Sequence, residues 1–383
     1  MSKKRTAGQT SVRMLALCAA LGMALGMTAG GSSLRADRDG REGTTRAFLI
    51  TRSVLAIHYG QFEADCPAGF DPTVEENFQA TLGPAERARI LKPENANEYA
   101  KHWKDEFITG PGGENVCNNP KSFADDMRHP AANGIQSKIA FGLNLDGTPD
   151  GRATAVTCGH AKFEGLSGDA AVDNQLYRAA GCSKRYRGAG ENVQPGAGLD
   201  PFIIELRGVD NTENDDLVEV GIYSIDDVPI QAQTGGSLPY QTFHASTNPR
   251  WRNETKGRIV NGELVTDVKD VYLRWRIATL GQFGEASENE FRRARLKLHF
   301  ESNGEVTGLL GGYRPLTNIS TSGYCCKATA STANIDCASE YKTFALMADG
   351  DPDPETGQCT TISAAHKLTG IPSFLVHDAA PSR

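Results

Sequence analysis

Residues 294–301, Ala-Arg-Leu-Lys-Leu-His-Phe-Glu, alternate between apolar and polar without a break. Ala294, Leu296, Leu298 and Phe300 project to one side and Arg295, Lys297, His299 and Glu301 to the other, because successive side chains of an extended chain point in opposite directions. This period of two is the pattern of a strand with one face buried and one in water.

The same period recurs upstream, where Val271, Leu273, Trp275 and Ile277 share a face opposite Tyr272, Arg274 and Arg276. The runs FIIELRGV (202–209) and LVEVGIYS (217–224) are also strand-like. Asn261-Gly262 and Asn303-Gly304 lie between such runs, and Asn-Gly suits the paired positive φ angles of a type I′ hairpin turn. Residues 202–313 are thereby expected to hold at least six antiparallel strands at short spacing. The expected fold class is mainly β (α+β), with an antiparallel β-sandwich or jelly-roll-like core.

The segment before residue 201 reads differently. TRAFLITRSVLAIHYG (45–60) is apolar and β-branched, a strand or two. VEENFQATL, the AERARILK that follows Pro84, and ANEYAKHWKDEF are short helix patterns, with Pro84 suited to a helix start. Residues 108–200 are rich in Gly, Asn and Asp and read as a long loop region stapled by cysteines. The expected organisation is a signal peptide over 1–36, an N-terminal region over 37–200 and a sandwich-like region with a Cys-rich tail over 201–383; the alternative is a single domain over 45–383.

The opening residues point to export. Lys3, Lys4, Arg5 and Arg13 precede an apolar run from Met14 to Ala29, and small residues follow up to Ala36. A basic start, an apolar middle and a small-residue exit make a secretory signal, and the run is short of the ~20 residues a membrane-spanning helix needs. Its removal deletes Lys3, Lys4, Arg5, Arg13 and Arg35 but no acid, so the formal charge moves from -7 to -12. An acidic mature chain is a poor partner for nucleic acid, which demands clustered Lys and Arg. The reading is of a secreted or periplasmic protein with no integral membrane association after cleavage.

Cysteine usage agrees with export. Cys18 leaves with the signal, and Cys66, Cys117, Cys158, Cys182, Cys325, Cys326, Cys337 and Cys359 remain, an even set in an oxidising compartment. Local closure favours Cys66 with Cys117 and Cys158 with Cys182, the last four pairing among themselves. No CxxCH or nucleotide-binding glycine motif is present, so neither haem nor nucleotide is expected.

Four groups of residues could carry chemistry. Asn144, Asp146, Thr148 and Asp150 place oxygens at every second position, and Asp169, Asp173 and Asn174 could complete a Ca²⁺ shell; the competing reading is two successive turns. Cys158-Gly-His160 offers soft-metal ligands, against a disulfide and a structural histidine. Asp210, Glu213, Asp215 and Asp216 could supply a carboxylate pair to a hydrolase, against a solvated acidic turn. Trp251, between two arginines, could stack on a sugar ring or cover a core edge.

Cys158-Gly-His160, AVDNQLYRAAGC (171–182), DLVEVGIYS (216–224), GLLGGYRP (308–315) and DPETGQCTTISAAHKLTGIPSF (353–374) together resemble a family of exported bacterial proteins with no assigned activity. The resemblance covers most of the mature chain, implies bacterial export and transfers no catalytic residue. The functional reading is a non-enzymatic binding or envelope-associated protein with a glycan or envelope partner, stabilised by Ca²⁺. The alternatives are a secreted hydrolase of carbohydrate or ester and a structural or assembly protein. Mass spectrometry of the exported protein should find its new N-terminus between residues 30 and 37; a chain recovered only with Met1 intact would overturn the export reading.

Overall fold

The computed structural model describes residues 33–36, 42–107, 109–116, 119–123, 134–166, 168–183, 186–187, 201–233, 235–276, 286–317 and 337–377. The first part comprises strands β1 (Ser33–Ala36) and β2 (Glu42–Leu55), then helices α1 (Phe62–Asp65), α2 (Val74–Thr81), α3 (Pro84–Ile90) and α4 (Ala96–Phe107). Short strands β3 (Ile139–Ala140) and β4 (Glu164–Gly165) and helix α5 (Gln175–Ala180) follow. Next come β5 (Phe202–Val209), β6 (Asn214–Ser224), β7 (Thr242–His244), β8 (Arg252–Val260), β9 (Glu263–Thr266) and β10 (Lys269–Arg276). The chain continues through β11 (Ala286–Phe300), β12 (Val306–Pro315), helix α6 (Cys337–Met347), β13 (Gly350–Pro352) and β14 (Cys359–Val376).

Hydrogen bonding runs β2–β5–β6–β8–β9–β11–β12–β14, each strand antiparallel to the next. β14 then pairs with β2, from His366 opposite Leu55 to Ser373 opposite Ala47, and closes the ring. The protein is therefore an eight-stranded antiparallel β-barrel, and the expected sandwich or jelly roll is incorrect. Alternation specifies one buried face and is satisfied equally by two stacked sheets or by one sheet curled on itself. What separates them is whether the edges meet, and here residues 47–55 meet residues 366–373, a pairing no local pattern reveals. Ser33–Arg383 form one compact unit, with β2 built into the same barrel as the strands beyond residue 200.

The local expectations are met more closely. Of the quoted run, Ala294 and Leu298 are 2% and 0% exposed and lie in the core with Leu296, and Phe300, partly buried, packs against it. Arg293 takes a positive φ of 46° where the β11–β12 register shifts, a bulge that turns both Phe291 and Ala294 inward. Val271 and Leu273 join the same core; the Trp275 side chain and Ile277 lie outside the described residues. Asn261 and Gly262, at φ 51° and 77°, turn β8 into β9 as a type I′ pair. The β11–β12 turn differs: Glu301 N donates to Glu305 O and Gly304 is at φ 86°, while Asn303 is not in the left-handed region, so the loop is one residue longer. α2 begins with a Thr73–Glu76 capping box, and Pro84 opens α3.

Apolar residues from all eight barrel strands fill the interior. On β8 the outward positions are polar, with Glu254, Lys256 and Arg258 exposed between buried Asn253, Gly257 and Ile259, whereas Leu49 and Ile203 on the outer face of β2 and β5 are buried in a separate apolar cluster. A second cluster joins α5 and α6 to the ends of β2 and β14 through Leu55, Leu176, Tyr177, Phe344 and Ile362. Beside it Asp65, fully buried, accepts from Arg187 Nη2 and Tyr177 Oη at 2.6 Å each. No described helix is long and apolar enough to cross a membrane.

The disulfides depart from local closure. Cys66 bonds to Cys182 and Cys158 to Cys359, with Cα separations of 5.6 and 6.2 Å. Cys337 is also disulfide-bonded, whereas Cys117, Cys325 and Cys326 lie outside the described residues. The cause is topological. α5 folds back beside α1, and Cys158 N donates to Asp349 O next to the start of β14, so residues 116 and 201 apart in sequence become neighbours. Peptide mapping without reductant should yield Cys66–Cys182 and Cys158–Cys359 cross-links; recovery of Cys66–Cys117 or Cys158–Cys182 instead would contradict this topology.

Candidate functional site

At one mouth of the barrel a cavity of about 180 Å³ opens. Its walls include Ile50, Phe202, Leu273 and Phe291, all of the core cluster, and polar groups converge on it from Ser53, Asn289 and His366. The β12–β14 register pairs Leu310 with His366, so the imidazole sits on the core-facing side of β14 with Leu368. His366 is 8% exposed, and its ring meets Phe291 edge-on at 5.2 Å. Ser53 Oγ lies 3.3 Å from Nδ1, while Nε2 is buried with no hydrogen-bond partner. Burial and the adjacent Arg314 push His366 down to about 3, so the ring is neutral at physiological pH.

Two arginines frame this mouth. Arg314, fully buried, donates from Nη2 to Asn289 Oδ1 at 2.7 Å and lies over the Phe291 ring. Arg274 lines the cavity, pairs with Asp226 at 2.5 Å and is backed by the Trp251 ring, whose centroid is 5.3 Å from its guanidinium carbon. The loop after β6 lines the opening with Asp226–Pro229, and Val228 there is 85% exposed.

A different polar group is buried against the barrel's outer wall. His160 Nε2 is 2.7 Å from Asp173 Oδ1 and 3.5 Å from Asp349 Oδ2, and its Nδ1 is 3.1 Å from Cys158 O. Lys162 Nζ bridges Asp146 Oδ1 at 2.6 Å and Asp173 Oδ1 at 2.5 Å. Asp349 accepts Ser363 N at 2.6 Å through Oδ1, while Oδ2 has no hydrogen bond. Burial raises Asp349 to about 7, although His160 and the Ser363 bond oppose that rise. Burial disfavours the His160 cation, but the carboxylates of Asp173 and Asp349 outweigh it and raise His160. Desolvation also acts on Asp146, yet the Lys162 and Thr148 bonds win and lower it.

Of the seven residues expected around calcium, Asp146 and Asp173 are brought together, and the cation between them is the Lys162 ammonium. Asp146, His160 and Asp173 offer atoms within 4.8 Å of one another. Asn144 donates to Thr148 O, and Thr148 bonds Asp146, both within one turn. Asp150 and Asp169 are exposed, and Asn174 caps α5 by accepting Tyr177 N. Among the acids considered for hydrolysis, Asp215 accepts from Asp210 N and Leu217 N in the β5–β6 turn. Trp251 stands behind a cavity residue rather than in the cavity wall. Sequence reasoning missed His366, Ser53, Arg314, Lys162 and Asp349. A polar residue on the apolar face of ISAAHKLTG was the available sign of His366.

The fold and these sites define a closed antiparallel barrel with a ligand-sized cavity at one mouth and a buried acid–base node on its wall. No family model, curated protein or solved structure matches the chain.

The node makes stability depend on pH. Asp349's folded-state pKa lies above its ordinary 3.8, so between about 4 and 7 the folded chain holds a proton that the unfolded chain lacks, and stability falls as pH rises. His160, raised above 6.5, acts in the same sense: its contribution is complete below 6.5 and is lost as pH rises through the folded value. Asp349→Asn keeps the Ser363 bond and removes the carboxyl titration. From pH 5 to 8 its melting temperature should rise relative to wild type, by on the order of 2 kcal/mol of stability. A difference independent of pH would remove Asp349 from this role.

Proposed function

We propose that this is an exported binding protein that holds a small oxygen-bearing molecule at the mouth of its barrel. The observation that carries the reading is the buried, unpartnered Nε2 of His366 on an open cavity. A buried polar atom without a partner costs about 1–3 kcal/mol, which a ligand supplying the missing hydrogen bond recovers. With Ser53 donating to Nδ1, the neutral ring presents Nε2–H as a donor, and the complementary ligand group is an oxygen acceptor. Phe291, Phe202 and Leu273 suit an apolar body. A cavity of about 180 Å³ is close to the ~150 Å³ that accommodates benzene, which limits the ligand to roughly ten heavy atoms.

The two disulfides support an oxidising compartment, either the periplasm or the exterior. The apolar interior and charged outer wall of β8 support a barrel surrounded by water, since lipid-embedded barrels carry the reverse polarity.

The test is thermal unfolding with benzyl alcohol, benzaldehyde, acetophenone and benzoate, for wild type and His366→Leu. A ligand at a hundredfold excess over its Kd adds about 2.7 kcal/mol to wild type, and the variant should lose that gain while remaining folded by circular dichroism. No stabilisation of wild type by any of the four, or equal stabilisation of both proteins, would sink the proposal.

A further inference from the structure

Phe163 and Val172 exchange both backbone hydrogen bonds, at 3.0 and 2.9 Å, as an antiparallel bridge whose side chains join the second apolar cluster. Lys162 and Asp173 are therefore the next cross-strand pair, on the face opposite those two apolar side chains. A non-hydrogen-bonded pair follows a hydrogen-bonded one, and in it the side chains stand closer. Lys162 Nζ is accordingly 2.5 Å from Asp173 Oδ1. The turn over 144–148 brings Asp146 Oδ1 to 2.6 Å from the same amine. The Lys162 side chain is 7% exposed and those of both aspartates 0%. Each carboxylate has its own setting. Asp173 Oδ2 accepts Leu145 N at 2.7 Å, and Oδ1 also faces His160 Nε2 at 2.7 Å. Asp146 Oδ1 accepts Thr148 N and Thr148 Oγ1, which favour its ionised form. His160 Nδ1 faces Cys158 O, so both ring nitrogens meet acceptors and both carry protons.

We propose that Lys162 and Asp173 condense into an isopeptide bond that ties the two arms of this bridge together. The ion pair is the reactant. One ammonium proton passes to Asp173 Oδ1, leaving a neutral amine against a neutral carboxyl. Nζ attacks Cγ and the C–N bond forms, while Leu145 N–H holds the negative charge that develops on Oδ2. Asp146 takes the second proton from the nitrogen, His160 protonates Oδ1, and the C–O bond breaks as one water leaves. The proton on Asp146 then restores the imidazolium. One ammonium and one carboxylate become one amide and one water, and nothing is oxidised or reduced. Three features separate this pair from an ion pair at a surface. Burial withholds the hydration that stabilises separate charges, and the amide removes both charges. The cross-strand register holds the reacting groups in direct contact, which stands in for a high local concentration. A base, an acid and an oxyanion donor already surround them. The product is a tie that reductant leaves intact, in a segment that reductant frees from Cys359.

The experiment is mass spectrometry of the purified full chain after complete reduction and denaturation. Wild type should be one water lighter than its sequence requires. Trypsin should fail to cut after Lys162, and the peptide 153–178 should carry the missing water as a loop that gives no backbone fragments between residues 162 and 173. Lys162→Arg should have its full mass. Asp146→Asn keeps both reacting groups and removes the base, so it should also have its full mass while remaining folded by circular dichroism. The wild-type measurement stands whether or not either variant folds. Wild type at full mass, a water lost at Asp146-Gly147 as a backbone succinimide in place of the loop, or a folded Asp146→Asn chain as light as wild type would overturn the assignment.

Discussion

The pairing of β2 with β14 is the constraint on which the rest of the molecule depends. It joins residues 47–55 to residues 366–373, more than three hundred positions apart, and converts a sheet with two free edges into a ring with none. A strand edge exposes unpaired amide and carbonyl groups along its length, and closure satisfies them internally. The same seam builds the recess at the mouth, because side chains alternate across it. On the inner face it sets Ser53 beside His366; on the outer face it sets Arg52 beside Lys367. A slip of one residue would exchange the two faces and place a lysine in the apolar core.

The wall outside the barrel over residues 141–173 buries Phe163 and Val172 in the second apolar cluster, and it is held by further ties. Cys158–Cys359 ties that segment to the start of β14, and Cys66–Cys182 ties α1 to the end of α5. Between those ties lies the node of Asp146, His160, Lys162, Asp173 and Asp349. Removing one member of such a buried set costs about 3–5 kcal/mol, because the others lose their compensation. Ion pairs of this kind are weak sources of net stability but strong constraints on geometry, since each donor has one place where its charge is met. Asp173 illustrates it: one oxygen takes His160 and Lys162, and the other accepts Leu145 N, fixing three segments at once.

Local physics was legible in the sequence, and contacts between distant segments were not. The period of two in 294–301, the Asn261-Gly262 turn and the Pro84 helix start depend on neighbours within a few residues, and each is found. Barrel closure and both disulfides depend on partners more than one hundred residues away, and local closure chose the wrong cysteines. The oxygen-rich run from Asn144 to Asp150 shows the boundary between the two. Its spacing fits either turns or a cation shell, and only the fold reveals that Lys162 lies between Asp146 and Asp173. Asp349 was hidden for the opposite reason: in ADGDPDP it looks like one more solvated turn acid, yet it is fully buried.

Arg314 and His366 pose the remaining physical question, since both are polar and both are buried beside an interior filled mainly with apolar side chains. Leucine at either position would suit the packing around it, and burying a guanidinium is costly even when it is hydrogen-bonded. Arg314 also disfavours the charged form of His366, holding the ring neutral in a site that desolvation alone would already neutralise. His366 Nε2, buried without a hydrogen-bond partner, therefore reduces stability locally. Such a defect persists where the exposed hydrogen-bonding capacity has a use, and strain concentrated beside an open cavity is where a use is to be sought. The opposite end of the same interior is lined by Val306, Leu298 and Leu264. Polar groups gathered beside the cavity at one end of an apolar interior are what support the ligand site proposed there.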